Sequence, residues 1–127
     1  MTINLDNKGL KSIIENYDLF FIDLWGVVHN GVKLNEKAID VLAKISEAKK
    51  NYILLTNAPR PNSIVKIFLE KMGMNKNMRE NVYTSGEAAL SYLKKNFLEQ
   101  SFYHIGPPRD FDLFIDFKNK KTQDISK

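Results

Sequence analysis

Two short runs of apolar residues stand out in the hydrophobic pattern of the chain. Residues 19–22 form the first run, which ends at Asp23, and residues 52–55 form the second, which ends at Thr56 and Asn57. An unbroken apolar run of this length is typical of a strand that is buried on both faces, as in a parallel sheet covered by helices. The pattern therefore predicts two buried strands, each followed at once by polar side chains.

Segments with apolar residues at helical spacing surround these two strands. Capping signals support two of the predicted helices, because Gly73 can end one and the capping box Thr84-Ser85-Gly86-Glu87 can start another. The predicted helices cover residues 10–17, 36–50, 62–72 and 84–96, and further strands are predicted at residues 81–83, 102–105 and 112–117. This alternation of helices and strands favours right-handed βαβ crossovers and a doubly wound α/β sheet.

Composition places the chain among ordinary globular domains. It has 127 residues, of which 43% are hydrophobic and 27% charged, and it contains no cysteine. No apolar stretch approaches the roughly 18 residues of a membrane-spanning helix, so a cytoplasmic location is expected. The net charge of +4 comes largely from scattered lysines. Such scattering argues against a nucleic-acid partner, which would need basic residues gathered on one face.

The polar residues after the two strands suggest a chemistry. In open α/β sheets ligands bind outside the carboxyl ends of the strands, which is where Asp23, Thr56 and Asn57 are predicted to lie. A carboxylate there can act as a nucleophile or a metal ligand, and the backbone N–H groups of residues 25–28 can surround a phosphate. A hydroxyl and an amide can bind phosphoryl oxygens without adding negative charge. The combination indicates phosphate chemistry.

Four stretches of the sequence resemble the haloacid-dehalogenase superfamily, in particular the class IIA phosphatases of the NagD and 4-nitrophenylphosphatase group. These are FFIDLWGVVHNG, YILLTNAPR, VYTSGEAALSYL and FYHIGPPRD, which occur in the expected order and extend the resemblance from about residue 10 to about residue 115. The resemblance implies a Rossmann-like parallel sheet. It also implies that residues 1–85 are the N-terminal part of the hydrolase core and that residues 86–127 begin a C2-type cap.

The same resemblance assigns roles to individual residues. Asp23 matches the nucleophile that forms an aspartyl-phosphate and helps to hold Mg²⁺, and Trp25 matches the position whose backbone carbonyl binds the metal. Thr56 and Asn57 match the phosphate-binding residues of the second motif. Gly26 matches the glycine that lets the backbone approach the phosphate closely.

Trp25 departs from the family pattern in its side chain. The family usually has an aspartate at this position, where it serves as the general acid and base. Tryptophan keeps the carbonyl role but cannot transfer the proton, and such transfer typically contributes about 10² to 10⁴-fold in rate. The rate of phosphatase turnover is therefore expected to be lower than in family members with the aspartate.

Two further motifs of the family are not recognisable in the sequence, namely a lysine that neutralises the phosphate and an acidic pair in a G-D-x-x-x-T-D setting. The chain alone is therefore predicted to be a phosphatase of low or no activity. An alternative is a non-catalytic remnant, or one chain of a split enzyme that binds a partner. The expected partners are a small phosphorylated metabolite and either a second copy or a complementary C-terminal chain.

Three other functional roles are not expected from the sequence, namely a receiver domain, a catalytic or metal-binding histidine at His29, and substrate-binding arginines. A phosphoacceptor receiver domain has a similar length and fold, but it needs an acidic pair at the end of its first strand, which this chain lacks. His29 is expected to be a loop residue, and Asn30-Gly31 beside it to form a tight turn with positive φ. Arg60 and Arg109 are expected to be solvated loop residues rather than substrate contacts.

Overall fold

The computed structural model describes residues 4–123, so the first three residues of the predicted core and the last four of the predicted cap segment lie outside the described residues. Short 3-10 turns at Leu10–Ser12 and Ile14–Asn16 precede the first strand. The regular elements are α1 (Leu5–Lys8), β1 (Leu19–Asp23), α2 (Glu36–Glu47), β2 (Asn51–Thr56), α3 (Asn62–Lys71), α4 (Lys76–Arg79), β3 (Val82–Thr84), α5 (Ser85–Phe97) and a 3-10 helix (Pro108–Lys120). No helix within residues 4–123 is long and apolar enough to cross a membrane.

The three strands form one parallel sheet in which β2 lies between β1 and β3. A parallel pair needs a crossover connection, and α2 supplies it between β1 and β2, as α3 does between β2 and β3. The α/β fold with a parallel sheet that the hydrophobic pattern predicts is confirmed.

The chain divides into two compact units whose boundary falls inside β2, between Leu54 and Leu55. The first unit contains β1, α2 and the loop between them. The second contains α3, β3, α5 and the 3-10 helix. The separate assignment of residues 1–85 to a core and residues 86–127 to a cap stays a prediction.

Buried aliphatic side chains form the core of the first unit. Leu42 and Ile45 on α2 are fully buried, as is Leu54 on β2, while the charged residues of α2 remain outside. Leu24 and Val28 are equally buried, although they lie in the loop after β1. Because burying one such side chain contributes about 1.5 to 3 kcal/mol, these two residues anchor the loop to the core.

The second unit packs α5 against the 3-10 helix. Leu90 of α5 is buried with Leu113 and Phe117, and Phe102 and Phe114 pack against this group. Thr84 starts α5 with one half of the predicted capping box, since its Oγ1 accepts a hydrogen bond from the N–H of Glu87 at 2.9 Å.

The predicted strand at residues 112–117 is wrong, because these residues belong to the 3-10 helix Pro108–Lys120. The phenylalanines at 111, 114 and 117 recur every three residues, which is the period of a 3-10 helix and places them on one face. Pro108 also starts the segment, and its ring restricts φ to values suited to the first turn of a helix. Leu113, Ile115 and Phe117 also alternate as in a strand, but the segment adopts the helix that matches the three-residue period of the phenylalanines.

Two more sequence predictions need correction. The helix predicted at residues 10–17 is replaced by the two 3-10 turns, which Ile13 separates with a φ of −128°. Ile13 and Ile14 are β-branched, and such side chains are stiff in a helix. The strand predicted at residues 102–105 reduces to a single bridge between Phe102 and Lys121, because the Gly106-Pro107 turn follows directly and proline cannot donate to a ladder.

Candidate active site

Asp23 is the last residue of β1, and its side chain is exposed. The chain turns immediately afterwards, because the carbonyl of Leu24 accepts hydrogen bonds from the N–H groups of Val28 at 2.9 Å and His29 at 3.1 Å. The buried side chain of Leu24 fixes the start of this turn. The carboxylate predicted to be the nucleophile is therefore accessible at the carboxyl end of its strand.

Gly26 gives the loop after Asp23 its shape. Its φ of +77° is a left-handed conformation that favours glycine, and a Cβ added there would meet nothing within 4 Å. Its N–H donates to the carbonyl of His29 at 2.8 Å, which closes the turn. Open space beside Gly26 is what close approach of a phosphate to the backbone requires. The phosphate-binding role that the resemblance gives to Gly26 stays a prediction.

Asn30 and Gly31 form the tight turn predicted from the sequence. The Oδ1 of Asn30 accepts hydrogen bonds from the N–H groups of Val32 and Lys33, both at 3.0 Å. Gly31 adopts a φ of +89°, so of the two residues it is the glycine that supplies the positive φ. A cavity of about 410 Å³ lies along this loop and is lined by Gly26, Val27, His29, Asn30, Lys33, Leu34, Asn35, Glu36 and Lys37.

The side chain of Trp25 is 62% exposed but is held by its neighbours. Its indole ring meets the imidazole of His29 edge to face, with ring centroids 5.6 Å apart and planes at 86°. The six-membered end of the indole lies against Gly31, since a Cβ added to Gly31 would be 2.6 Å from Cη2 and Cζ3. Gly31 therefore leaves room for Trp25 as well as adopting a positive φ.

His29 is buried, with 6% of its surface exposed, and it does more than the loop residue expected from the sequence. Its Nδ1 accepts a hydrogen bond from the N–H of Gly31 at 3.0 Å, so the neutral ring carries its proton on Nε2. Burial lowers the pKa of His29, and the nearby charge of Asp23 opposes this by raising it. The position of His29 directly before the Asn30-Gly31 turn was the sequence signal that its ring could accept a hydrogen bond from the turn.

The lowered pKa of His29 predicts that the chain loses stability in mild acid. Below the pKa of about 6.5 in the unfolded chain, the unfolded state binds a proton that the folded state resists. The unfolding free energy should therefore fall as pH drops from about 6.5 toward the lower pKa of the folded state. Protonation also turns Nδ1 from an acceptor into a donor, which breaks its bond with Gly31.

Urea unfolding of the wild-type chain and of His29→Gln across this pH range measures the effect. The glutamine variant should show a shallower dependence of the unfolding midpoint on pH. His104→Gln is the matched control, because it removes the other histidine of the chain. Identical pH dependence in wild type and His29→Gln would contradict the prediction.

Thr56 ends β2, and Asn57 follows it with an exposed side chain. The Oγ1 of Thr56 accepts a hydrogen bond from the N–H of Ala58 at 3.2 Å, which orients the hydroxyl at the strand terminus. A hydroxyl that accepts one bond still has its own proton to donate. Thr56 and Asn57 therefore offer a hydroxyl donor and an amide donor at the end of β2.

The segment after Asn57 is fastened to the start of α5. The N–H of Gly86 donates to the carbonyl of Ala58 at 3.1 Å, and the hydroxyl of Thr84 donates to the carbonyl of Arg60 at 2.5 Å. A Cβ on Gly86 would lie 2.4 to 2.7 Å from backbone atoms of Arg60. The hydrophobic pattern of the sequence did not predict this contact. A glycine in the first turn of a helix, where it costs about 1 kcal/mol relative to alanine, was the available signal.

A second pair of contacts joins the same segments. The N–H of Asn62 donates to the carboxylate of Glu87 at 2.9 Å, and the N–H of Thr84 donates to the Oδ1 of Asn62 at 2.9 Å. Glu87 thus serves the first turn of α3 instead of completing the box of its own helix. These bonds fix the direction in which the chain leaves Asn57.

Arg60 is not a solvated loop arginine. Its guanidinium forms ion pairs with Asp112 and with Asp110, the latter at 3.3 Å. Arg109 lies 3.8 Å from the same carboxylate of Asp110 and is largely exposed, as expected. The charge of Arg60 is therefore engaged by the 3-10 helix.

The groups predicted to hold Mg²⁺ are the carboxylate of Asp23 and the carbonyl of Trp25. Within residues 4–123 no backbone N–H of the loop donates to that carbonyl. Both are hard oxygen donors, and Mg²⁺ commonly binds one or two carboxylates while keeping several waters and substrate oxygens. The described part of the chain contains no cluster of three or more histidine, cysteine, aspartate or glutamate side chains suited to a metal. The carboxylate of Asp23 and the carbonyl of Trp25 are oxygen donors of the type that Mg²⁺ binds, and the predicted site has these two.

The chain belongs to the haloacid dehalogenase-like hydrolases, because the model of that family matches residues 20–117. The family resemblance drawn from the motifs is confirmed. The match begins within β1 and ends within the 3-10 helix, so it includes Asp23, Gly26 and Thr56. A search of curated proteins returned no match.

Solved structures with the same fold include several phosphatases by name. A haloacid dehalogenase-like hydrolase from Brucella suis 1330 is 31% identical, with a TM-score of 0.71 over 84% of this chain and 38% of that chain. The 4-nitrophenylphosphatase from Thermotoga maritima is 22% identical, with a TM-score of 0.65 over 80% and 39%. The p-nitrophenyl phosphatase from Archaeoglobus fulgidus is 16% identical, with a TM-score of 0.64 over 82% and 39%. The last two likenesses show the fold alone.

The chain spans less than two fifths of the length of these three structures. The activity of a whole phosphatase therefore cannot be carried over from them.

Proposed function

We propose that the chain carries the phosphoryl-accepting part of a Mg²⁺-dependent phosphomonoesterase that acts through an aspartyl-phosphate on Asp23. The observation that carries the proposal is the exposed carboxylate of Asp23 at the end of β1, followed by a loop whose open side faces outward at Gly26. Membership of the haloacid dehalogenase-like hydrolases supports a hydrolytic role.

Asp23 would act as the nucleophile. One carboxylate oxygen forms a bond to phosphorus as the bond between phosphorus and the ester oxygen breaks, and the electron pair leaves with that oxygen. Attack of water on the aspartyl-phosphate then releases phosphate and restores the carboxylate. Mg²⁺, held by Asp23 and the carbonyl of Trp25, would neutralise charge on the phosphoryl oxygens.

The phosphoryl oxygens would be bound by Gly26, Thr56 and Asn57. β1 and β2 are neighbours in the parallel sheet, and ligands of such sheets bind at the carboxyl ends of strands. The hydroxyl of Thr56 and the amide of Asn57 would donate hydrogen bonds without bringing negative charge. Gly26, whose own N–H donates to the carbonyl of His29, would leave space for the phosphoryl group. Donors aimed at a developing anion are commonly the largest single catalytic contribution.

A second candidate function is binding of another chain. β1 stands at one end of the sheet order, so within residues 4–123 one of its edges has no strand beside it. On one face of β1, Leu19 is 43% and Phe21 65% exposed. A free strand edge beside exposed apolar side chains favours association. The partner would be a second copy or a complementary C-terminal chain.

The cytoplasmic location expected from the sequence stays a prediction.

Removal of Mg²⁺ tests the proposed function. The purified chain is assayed with p-nitrophenyl phosphate and Mg²⁺, then after chelation with EDTA, and again after Mg²⁺ is restored. Turnover should be low, should fall to background on chelation, and should return with the metal. EDTA that is already saturated with Mg²⁺ is the control for effects of the chelator itself.

The outcomes separate the two candidates. Turnover that chelation leaves unchanged would contradict the magnesium-dependent mechanism. A chain that shows no turnover, but self-associates in analytical ultracentrifugation, would favour the second candidate over the first.

A further inference from the structure

His29 is a buried polar residue to which the proposed reaction assigns no step. Among residues 4–123, His29 and Thr84 are the polar residues whose surface is almost completely buried. Burial of a polar side chain is costly unless its hydrogen bonds are made inside the protein. The Nδ1 of His29 makes such a bond, because it accepts the N–H of Gly31 at 3.0 Å. A buried imidazole six residues after Asp23 therefore calls for a role in the shape of this loop.

The backbone of His29 engages the peptide units on both sides of Trp25. Its N–H donates to the carbonyl of Leu24 at 3.1 Å, and its carbonyl accepts the N–H of Gly26 at 2.8 Å. These two bonds form a bridge in which His29 and Trp25 run parallel to each other. One residue thus fixes the peptide plane before Trp25 and the peptide plane after it.

The second of these bonds sets the direction of the Trp25 carbonyl. That carbonyl and the N–H of Gly26 belong to the same peptide unit, and residues 4–123 contain no cis peptide bond. In a planar trans unit the C=O and the N–H point in opposite directions. Because this N–H points at the carbonyl of His29, the carbonyl of Trp25 points away from it. The oxygen proposed to bind Mg²⁺ is therefore held in one orientation by His29.

On its other side, His29 joins this loop to the segment that leads into α2. It forms an antiparallel bridge with Leu34, and next to this bridge the N–H of Asn35 donates to the carbonyl of Val28 at 2.8 Å. Asn35 directly precedes α2. The backbone of His29 therefore lies between Trp25 and a segment that the first unit holds in place.

The imidazole keeps the backbone of His29 in this position. Its Nδ1 is bound to Gly31, and its ring meets the indole of Trp25 edge to face, with centroids 5.6 Å apart. The bond to Gly31 prevents the side chain from turning out of the loop. Without an acceptor at this place, the backbone of His29 would be released, and the peptide units beside Trp25 with it.

We propose that His29 is a positioning residue of the Mg²⁺ site, because its Nδ1 anchors the backbone that orients the carbonyl of Trp25. This inference rests on the proposed function, in which that carbonyl is a ligand of the metal. Replacing a residue that orients a metal ligand typically weakens metal binding by about 10 to 100-fold. A residue that only stabilises the fold would change the unfolding midpoint and leave the affinity of the folded chain for Mg²⁺ unchanged.

Two amide variants test the role of the acceptor. Asparagine at position 29 places its Oδ1 as many bonds from Cα as Nδ1 of the histidine, and asparagine commonly accepts the N–H two residues on. Glutamine places its oxygen one bond farther away. His29→Gln should therefore weaken Mg²⁺ binding by about tenfold or more, and His29→Asn should recover most of the affinity.

The measurement is calorimetric titration of the full chain with Mg²⁺ alone at constant ionic strength. The emission of Trp25 is a second readout at the site, because the chain contains one tryptophan. His104→Asn and His104→Gln are the matched controls, since the ring of His104 contacts aromatic residues of the second unit. Both controls should bind Mg²⁺ as the wild-type chain does.

Circular dichroism identifies the variants that fold, and affinities are compared among these. Equal affinity in the wild-type chain and folded His29→Gln overturns the positioning role and leaves the proposed function standing. If His29→Gln does not fold, His29→Asn decides alone, and a tenfold loss of affinity in the folded asparagine variant overturns the role. Absence of Mg²⁺ binding by the wild-type chain overturns the proposed function, and the inference with it.

Discussion

Replacement of Asp23 with asparagine should abolish formation of the phosphoenzyme and reduce any turnover by roughly 10³-fold or more. The amide keeps the size of the side chain but has no anionic oxygen to attack phosphorus, and loss of a covalent nucleophile can cost up to about 10⁶-fold in a hydrolase. It also removes the one carboxylate predicted to hold Mg²⁺. Both effects act on the same step, so the loss should exceed that of any single phosphate contact.

The measurement is the mass of the intact chain after acid quenching during reaction with p-nitrophenyl phosphate. A phosphoryl adduct should be present in the wild-type chain and absent from Asp23→Asn. Asp18→Asn is the matched control, because Asp18 precedes the same strand at its other end and its carboxylate is almost fully exposed. Its bond to Lys50 is a surface ion pair, which contributes about 1 kcal/mol at most. An adduct that survives in Asp23→Asn would place the nucleophile elsewhere.

Replacement of Gly86 with alanine should destabilise the second unit by about 2 kcal/mol. Helix propensity alone predicts a gain of about 1 kcal/mol, since alanine is preferred over glycine in a helix. The added methyl group would, however, lie 2.4 to 2.7 Å from the backbone of Arg60, which must then move. Such overpacking costs about 1 to 3 kcal/mol, and this backbone contact belongs at the upper end. The clash therefore outweighs the propensity.

Urea denaturation followed by circular dichroism measures this change. Gly106→Ala is the control, because the nearest atoms to a methyl group there belong to the side chain of His104, at 3.0 Å or more. The control should unfold close to the wild-type midpoint. A rise in the midpoint for Gly86→Ala would show that the backbone after Asn57 moves away from the methyl group at little cost. The fixed position proposed for Thr56 and Asn57 would then be contradicted.

The strands and their terminal residues were predictable because one strong signal determines each. A run such as residues 52–55 indicates a strand, and its polar end follows in the sequence. The predicted burial on both faces was wrong for β1, because Leu19 is 43% and Phe21 65% exposed on one of its faces. The capping pattern at Thr84 is equally local. The family resemblance then gave roles to Asp23 and Thr56 that composition could not give.

The remaining features depend on contacts between distant residues or on competing periods. The 3-10 helix carries apolar residues that fit both an alternating and a three-residue pattern, and packing of Phe117 against Leu90 decides between them. The roles of Gly86 and Arg60 arise from contacts across more than 20 residues of sequence. Burial of His29 likewise follows from how the loop folds back on Leu24.

The loop after Asp23 completes its own hydrogen bonds through Leu24, Gly26, His29 and Asn30. Its backbone shape is thus set when the chain folds and needs no ligand to organise it. Binding of a phosphate would therefore lose little affinity to ordering of the loop. The hydroxyl of Thr56, which the N–H of Ala58 orients, would also be in position before charge moves, so little reorganisation would accompany the reaction. A chain of this kind should respond to phosphate as a rigid receptor, with an affinity set by contacts and not by a folding step.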